Sequence, residues 1–377
     1  MKKGNIIRMH PYILDESLLE DFKQVINDHD DFLINAYGDI NGKNLWNLMC
    51  SSKDWLHVSV YGLPYIQLNH ENMDVRSLNV LQLIMTYDLV VQAIEQLLRI
   101  FEIEYPYKED HSVFNESVPD DTYFTQIRAC FAAHPVNLNS SDGQKNVKSD
   151  ERYFASWSSD VGGCGDYTVH LYSNKPGVSP IPFTLSFVRI HQYIVIRYSL
   201  LSMVMNEIEK KREQFIQKHR QIIIRRSPDT VEQLQILLEE NNIRICEDYG
   251  YQYEIKTLIE LFTAPQEFRK QERDIVASYM SSLNLLIEDI YESLQSMIFD
   301  DLAHGYLINS RSHRYKELFY DISKVFEYLN NPYYSSSLLD YHLNRLIEGG
   351  VFPSYVNQKI DRLDLKLLLL SGLAIEY

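Results

Sequence analysis

Glycine and proline are scarce, with 14 and 12 among 377 residues. Few positions are then available to make tight turns or to break helices, so long elements joined by few turns are expected. Cysteine is scarcer still. The four (Cys50, Cys130, Cys164, Cys246) lie far apart and none belongs to a C-x-x-C pair. That spacing argues against a disulfide framework or a cysteine zinc site, and reduced thiols in a cytoplasmic protein are the expectation. Basic residues are outnumbered, 36 against 52 acidic, for a net charge of −16. Such a chain repels polyphosphate except where its basic residues cluster, which argues against a general nucleic-acid binder but not against a local phosphate cleft. Long apolar runs are missing: the longest, such as 367–370, fall far short of the roughly 20 residues that span a bilayer. No apolar stretch follows Lys2 and Lys3, so no signal peptide and no membrane association are expected.

What is present is ordinary globular composition, 45% apolar and 23% charged, at a length for which two domains are the prior. Apolar periodicity predicts helices over 16–34, with Asp15 as N-cap, and over 74–104, where Leu78, Leu81, Met85, Leu89, Ala93, Leu97 and Ile100 recur at steps of three or four. The second stripe is so wide that this helix is expected inside a bundle or against a second subunit. Residues 44–61 form a mixed apolar segment. A short helix over 121–133 is capped by Asp120 or Asp121 and stopped by Pro135, and a polar loop follows to Arg152. YTVHLYS and PFTLSFV read as a small β hairpin at about 167–187. One long helix is expected over 188–224, and several more over 229–240, 253–262, 266–298, 314–329, 335–348 and 359–373. No repeat period emerges.

The segment TYFTQIRACFAAHPVNL sets Arg128 near the middle of a short helix and His134 at its end. Pro135 biases His134 out of the α region. On an unbroken helix the two side chains would diverge by about 120°, so a break at His134 is what lets the imidazole swing back. Arginine holds a phosphate with forked donors and histidine moves a proton near neutral pH. Together they are a minimal metal-free kit for cutting RNA, in which the 2′-hydroxyl attacks its own phosphate.

The run Arg128-Ala-Cys-Phe-Ala-Ala-His134 resembles the R-x(4–6)-H motif of HEPN domains, small helical bundles of toxin and antiphage ribonucleases. The resemblance covers residues 70–220, with the 74–104, 121–133 and 188–224 helices as the bundle. It implies a metal-independent endoribonuclease without cofactor, in which Arg128 steadies the scissile phosphate and His134 shuttles the proton. It also implies a homodimer whose motif helices face each other across the seam, and an antitoxin or other protein as partner. One departure stands out: many active members carry Asn, Asp or His just after the arginine, and here it is Ala129. Arg212 and His219 match the same spacing a second time, but Arg128 lies in the more apolar helix, where an unpaired guanidinium is costly.

Weaker signals have plainer readings. The basic run Lys210, Lys211, Arg212, Lys218, Arg220 is a candidate RNA-backbone surface, and equally the solvated end of a long helix, where cations complement the dipole. Asp160 and Asp166 flank the glycine-rich VGGCG turn, which lacks the lysine of a P-loop. His170 and His191 have no partner ligands at metal spacing. The tyrosine clusters at 249–253 and 333–334 offer stacking faces but more often mark packed surfaces. Cys130 and Cys164 have no activating base nearby in sequence. The plainer reading of the motif itself is that Arg128 pairs with a buried carboxylate, Asp88 or Glu95, while His134 caps its helix.

The expectation is therefore a mainly α chain: an N-terminal helical extension (1–70), a HEPN-like helical bundle (71–226) with a small β hairpin insert, and a C-terminal helical domain (227–377). Its expected activity is endoribonuclease action on RNA. The rival reading is a non-catalytic helical protein-interaction module.

Overall fold

The structure is a computed structural model, and it describes residues 11–133, 135, 138, 152–157, 165–246, 249–309, 313–331 and 338–374. The chain is mainly helical with one small antiparallel sheet, and it divides into two compact units, residues 1–212 and 213–377.

In the first unit, α1 (Glu16–Asp28) starts where the Asp15 carboxylate accepts the Ser17 N–H at 2.9 Å, and it buries Leu19, Phe22 and Ile26 on one stripe. The single helix expected over 16–34 is instead two. His29 leaves helical geometry (φ −127°) and α2 runs Asp30–Tyr37. The His29 imidazole pairs with Glu209 at 2.7 Å, a tertiary contact that local periodicity does not report. The mixed segment becomes α3 (Leu45–Gly62), capped by Asn44. Next comes α4 (Met73–Ile100), capped by Asn72. It is long and apolar enough to cross a bilayer by length and composition, yet 56% of that window is buried inside the fold, packed chiefly on α3 and on α6 (Phe187–Tyr198).

Between them, α5 (Asp120–Arg128) opens into a π-helical turn, Ala129–Ala133. The sheet has three strands rather than the two of the expected hairpin. β1 (Tyr153–Trp157) pairs antiparallel with β2 (Tyr167–Ser173), Trp157 opposite Val169, and β2 with β3 (Ile181–Leu185), Tyr167 opposite Leu185. β1 falls where a polar loop had just ended, and its YFASW sequence is too short to announce itself. Leu138 exchanges backbone hydrogen bonds with Tyr153 along its other edge (2.9 and 3.0 Å). The inner face of the sheet meets the π-helical turn through Phe131, whose ring lies 5.6 Å from Phe183 and 6.0 Å from Trp157.

The long helix expected over 188–224 is likewise two, α6 and α7 (Leu201–Gln221), interrupted at 199–200. Residues 213–226, read from sequence as part of the bundle, belong to the second unit. There the Tyr291 hydroxyl donates to the Ile224 carbonyl (3.1 Å) and Ile224 N–H donates to Gln295 (2.8 Å).

The second unit continues through α8 (Thr230–Arg244, capped by Asp229), α9 (Gln252–Phe262) and α10 (Lys270–Ser296). After the 3₁₀ turns Gly305–Ile308 and His313–Leu318 come α11 (Phe319–Asn330), α12 (Leu339–Glu348) and α13 (Arg362–Ala374). Eight consecutive residues of α13, Asp364 to Ser371, are buried, so this helix is enclosed on all sides. Lys366 survives there because Glu260 (2.6 Å) and Asn330 (3.2 Å) take its ammonium. Gly372 lets α13 approach the Val351 backbone, where a Cβ would collide with the carbonyl oxygen.

One guanidinium ties the helix ends together. Arg244 is 1% exposed and donates to the carbonyls of His219 (2.7 Å), Ile222 (2.8 Å) and Leu294 (3.3 Å), while Glu240 takes its Nε at 2.7 Å. It thus adds a charged donor to helix-end carbonyls that otherwise hold one contact each, from Ile222 N–H, Gln295 and Met297 N–H. Replacing Arg244 with leucine removes these charged donors and leaves the Glu240 carboxylate without its cation, and the expected loss is about 3–5 kcal/mol. Urea unfolding of the full chain followed by circular dichroism reads it, and a loss under about 1 kcal/mol would refute the capping role.

Candidate functional site

α5 is held at its start by carboxylates. Asp120 is fully buried and accepts the backbone N–H groups of Val113 and Phe114, both at 3.0 Å, so it anchors the preceding loop rather than capping the helix as expected. Its neighbour Asp121 gathers a larger cluster on one oxygen: the Tyr193 hydroxyl at 2.7 Å, the Tyr105 hydroxyl at 3.0 Å, and Arg197 through Nε and Nη2 at 3.2 and 3.1 Å. The Arg197 Nη1 faces Asp110 at 3.5 Å, and its guanidinium carbon lies over the rings of Tyr193 (4.0 Å) and Tyr107 (4.9 Å). Burial, reinforced by the Asp121 carboxylate, pushes the Tyr193 phenol far above its ordinary range, and burial does the same to Tyr105. Both hydroxyls therefore remain donors. The arginine is charged and its desolvation is offset by ions and aromatic faces.

Seven residues further on, about two turns along the same face of the helix, stands Arg128. Its Nη1 donates to both oxygens of Asp88, at 3.0 and 3.1 Å. It is one of the two carboxylates, with Glu95, that the plainer sequence reading named. Gln92 donates to the same carboxylate at 2.5 Å. The pair is lopsided in exposure: the Asp88 side chain is 8% exposed and that of Arg128 is 36%. Among the described residues the Nε and Nη2 donors of Arg128 make no hydrogen bond. A guanidinium so placed is steadied at one nitrogen and keeps further donors that the described residues do not use.

Glu95 completes the cluster, on the face of α4 that carries Asp88 and Gln92. Although the residue keeps a solvent-exposed side, its carboxyl titrates above the usual range. Partial desolvation is the largest cause; Asp121 and Asp88 add to it, and Arg128 opposes it.

Just past Arg128 the helix widens into the π-helical turn, which buries Cys130 and Phe131. Burial pushes the Cys130 thiol up to about 12, so it carries almost no thiolate at neutral pH and is unsuited to nucleophilic work. His134 lies outside the described residues, as do Cys164, Asp160 and the tyrosines at 333–334. The second sequence match is a core histidine. His219 is 7% exposed, its ring packs 4.4 Å from Phe215, and burial followed by the Arg244 charge lowers its pKa. His191 bonds the Tyr87 hydroxyl at 2.9 Å, His170 sits on β2 beside Tyr172, and Asp166 caps α6 by accepting the Phe187 N–H at 2.7 Å.

The basic run crosses the boundary between the two units. Lys210, Lys211 and Arg212 belong to the first unit, and Lys218 and Arg220 to the second. Lys210 pairs with Glu207 (3.1 Å), Lys211 reaches Glu102 (3.4 Å), and Arg220 donates to the Ser296 carbonyl (2.7 Å). Only Arg212 and Lys218 make neither an ion pair nor a hydrogen bond from the side chain among the described residues. Three of the five cations are thus engaged within the protein, close to the plain reading of a solvated helix end.

Sequence reasoning missed Arg197, Asp121, Tyr105 and Tyr193 as a group. One signal existed: Arg197 ends the apolar run of α6, the same cost argument that singled out Arg128. Among the described residues no cluster of three or more His, Cys, Asp or Glu side chains is arranged to hold a metal ion.

The raised Glu95 carboxyl has a stability consequence. A folded state that holds its proton more tightly than the unfolded chain loses stability as pH rises from the unfolded value, near 4.3, through the folded one. Glu95→Gln is expected to raise the melting temperature at pH 7–8 and to leave it unchanged below about pH 4. A variant less stable than wild type at pH 8 would reverse the assignment. Compared with known proteins, the chain matches no model of a protein family, no curated protein and no solved structure.

Proposed function

We propose that the first unit acts on RNA as a metal-independent endoribonuclease of HEPN type, with Arg128 as the phosphate-holding group and His134 as the proton carrier. The observation that carries this reading is the state of Arg128: anchored through Nη1 by Asp88, with Nε and Nη2 unengaged among the described residues and more than a third of the side chain in solvent. A residue present only to neutralise Asp88 gains nothing from that exposure. The break in α-helical winding directly after Arg128 also falls inside the motif, in the region where the histidine must leave the helix direction to turn back.

In the proposed chemistry the RNA 2′-hydroxyl attacks the adjacent phosphorus while His134 takes its proton. The bond to the 5′-oxygen breaks, and that oxygen leaves as a hydroxyl after taking a proton. The products are a 2′,3′-cyclic phosphate and a free 5′ end. Arg128 supports the charge that builds on the non-bridging oxygens, a contribution that is large where water is partly excluded. Two copies of the chain would complete the site. The exposed edge of α4, with Leu78 65% and Met85 36% exposed, lies on the same helix as Asp88 and is the proposed seam. The cytoplasm is the proposed compartment, and an antitoxin-like protein the proposed restraint.

A second reading has its own support. Trp55 (49% exposed) and Val58 (57%) on α3 accompany Leu78 and Met85 on the packed neighbour α4, and apolar residues of that size in solvent favour a protein partner. On that reading Arg128 only neutralises Asp88.

Cleavage of a fluorescent RNA by the purified chain in EDTA separates the two. Arg128→Gln and His134→Ala are expected to lower the rate by at least about a hundredfold, whereas Asp88→Asn, which leaves the guanidinium in place, retains cleavage. Because Arg128→Gln leaves Asp88 without its cation, the Asp88→Asn/Arg128→Gln double variant serves as the folded control and stays inactive. Wild-type chain without cleavage, or a double variant as active as wild type, would leave only the interaction module.

A further inference from the structure

A cavity of about 470 Å³ opens within the second unit between α10, the 3₁₀ turn Gly305–Ile308 and α13, far from the chemistry assigned to Arg128 in sequence and independent of that reading. Its volume suits a small organic molecule. Along α10 it is lined by Asp274, Ser278 and Ser282. Residues four apart follow one slowly turning line and rise about 6 Å per step, so these three polar groups form a single rail roughly 12 Å long.

The polar groups of this cavity are nearly all acceptors. Ser282 Oγ donates its proton to the Tyr279 carbonyl (2.6 Å) and Ser371 Oγ to the Leu368 carbonyl (3.1 Å), so both present only lone pairs to the cavity. The Tyr279 hydroxyl is likewise committed to the Leu307 carbonyl at 2.8 Å, and burial keeps that phenol protonated. Asp274 makes no hydrogen bond or ion pair among the described residues, and neither does the Ser278 hydroxyl. No lysine, arginine or histidine is among the described lining residues. Ser371 and Ala374 also bring the last turn of α13 to the wall, where helix carbonyls carry partial negative charge. The rest of the lining is apolar or aromatic: Ile275, Leu307 and the 44%-exposed Tyr306 ring.

One unpaired carboxylate, a row of acceptors, a helix C-terminus and an aromatic wall select against anions. They match a positively charged nitrogen on an apolar body. We propose that this cavity binds a small organic cation, with its ammonium on the Asp274–Ser278 rail and its apolar body against Ile275, Leu307 and Tyr306.

Calorimetric titration of the full-length chain with phenethylammonium chloride tests the assignment, with phenethyl alcohol and phenylacetate as the neutral and anionic probes of the same shape. Binding of the cation is expected, with the neutral probe at least about tenfold weaker and the anion weaker still. Asp274→Asn, on the exposed side of α10 and therefore tolerated by the fold, is expected to erase the preference for the cation. Absence of cation binding, equal binding of the three probes, or a preference unchanged in Asp274→Asn would each overturn the proposal.

Discussion

A single buried charge organises the first unit. Arg197 is fully excluded from solvent, and an isolated ion there would be prohibitive. It is tolerated because Asp121, Asp110, Tyr105 and two aromatic faces converge on it. Convergence of that kind constrains geometry: α5, the loop before it and α6 must meet at one point and in one rotation. The rotation of α5 then decides where Arg128 projects, since Asp121 and Arg128 share a helix face. One side of α5 is thus pinned twice, to α6 by Asp121 and to α4 by the Arg128–Asp88 pair.

The same logic recurs in the second unit with a different outcome. Arg244 is buried against backbone carbonyls, and its role ends with capping. Arg128 differs from both buried arginines in one respect, its open side. All three arginines have acceptors, so pairing alone does not separate structural from functional cations. What separates them is where the unused donors lie: the Arg197 Nη1 that makes no hydrogen bond is buried, whereas Arg128 is 36% exposed. Among the described residues two nitrogens of Arg128 make no hydrogen bond, and Arg244 has every nitrogen engaged.

The acid-rich setting of Arg128 also shapes what it can bind. Asp88, Asp110 and Asp121 face the two arginines, and a further full charge on Glu95 would add to the repulsion of phosphate. The raised Glu95 carboxyl relieves that repulsion near and below its own titration range. Proton uptake at Glu95 and anion affinity at Arg128 are in this way coupled through ordinary Coulomb interaction.

Much of the secondary structure was legible because it is local. Asp15 caps α1 where its position before apolar periodicity indicates, and the 74–104 stripe and the 167–187 hairpin lie close to α4 and to β2 with β3. Local chemistry also singled out Arg128 and named Asp88 or Glu95 as its plain partner. Tertiary structure alone decided the rest. The breaks at His29 and at 199–200 interrupt sequences whose apolar pattern continues, because local periodicity does not encode a contact such as His29–Glu209. The boundary near 212 falls inside an uninterrupted helix, where composition does not change. Whether a cation is buried, capped or open depends on acceptors brought from distant positions. Arg197 and Arg244 differ from Arg128 only in the company that folding gives them.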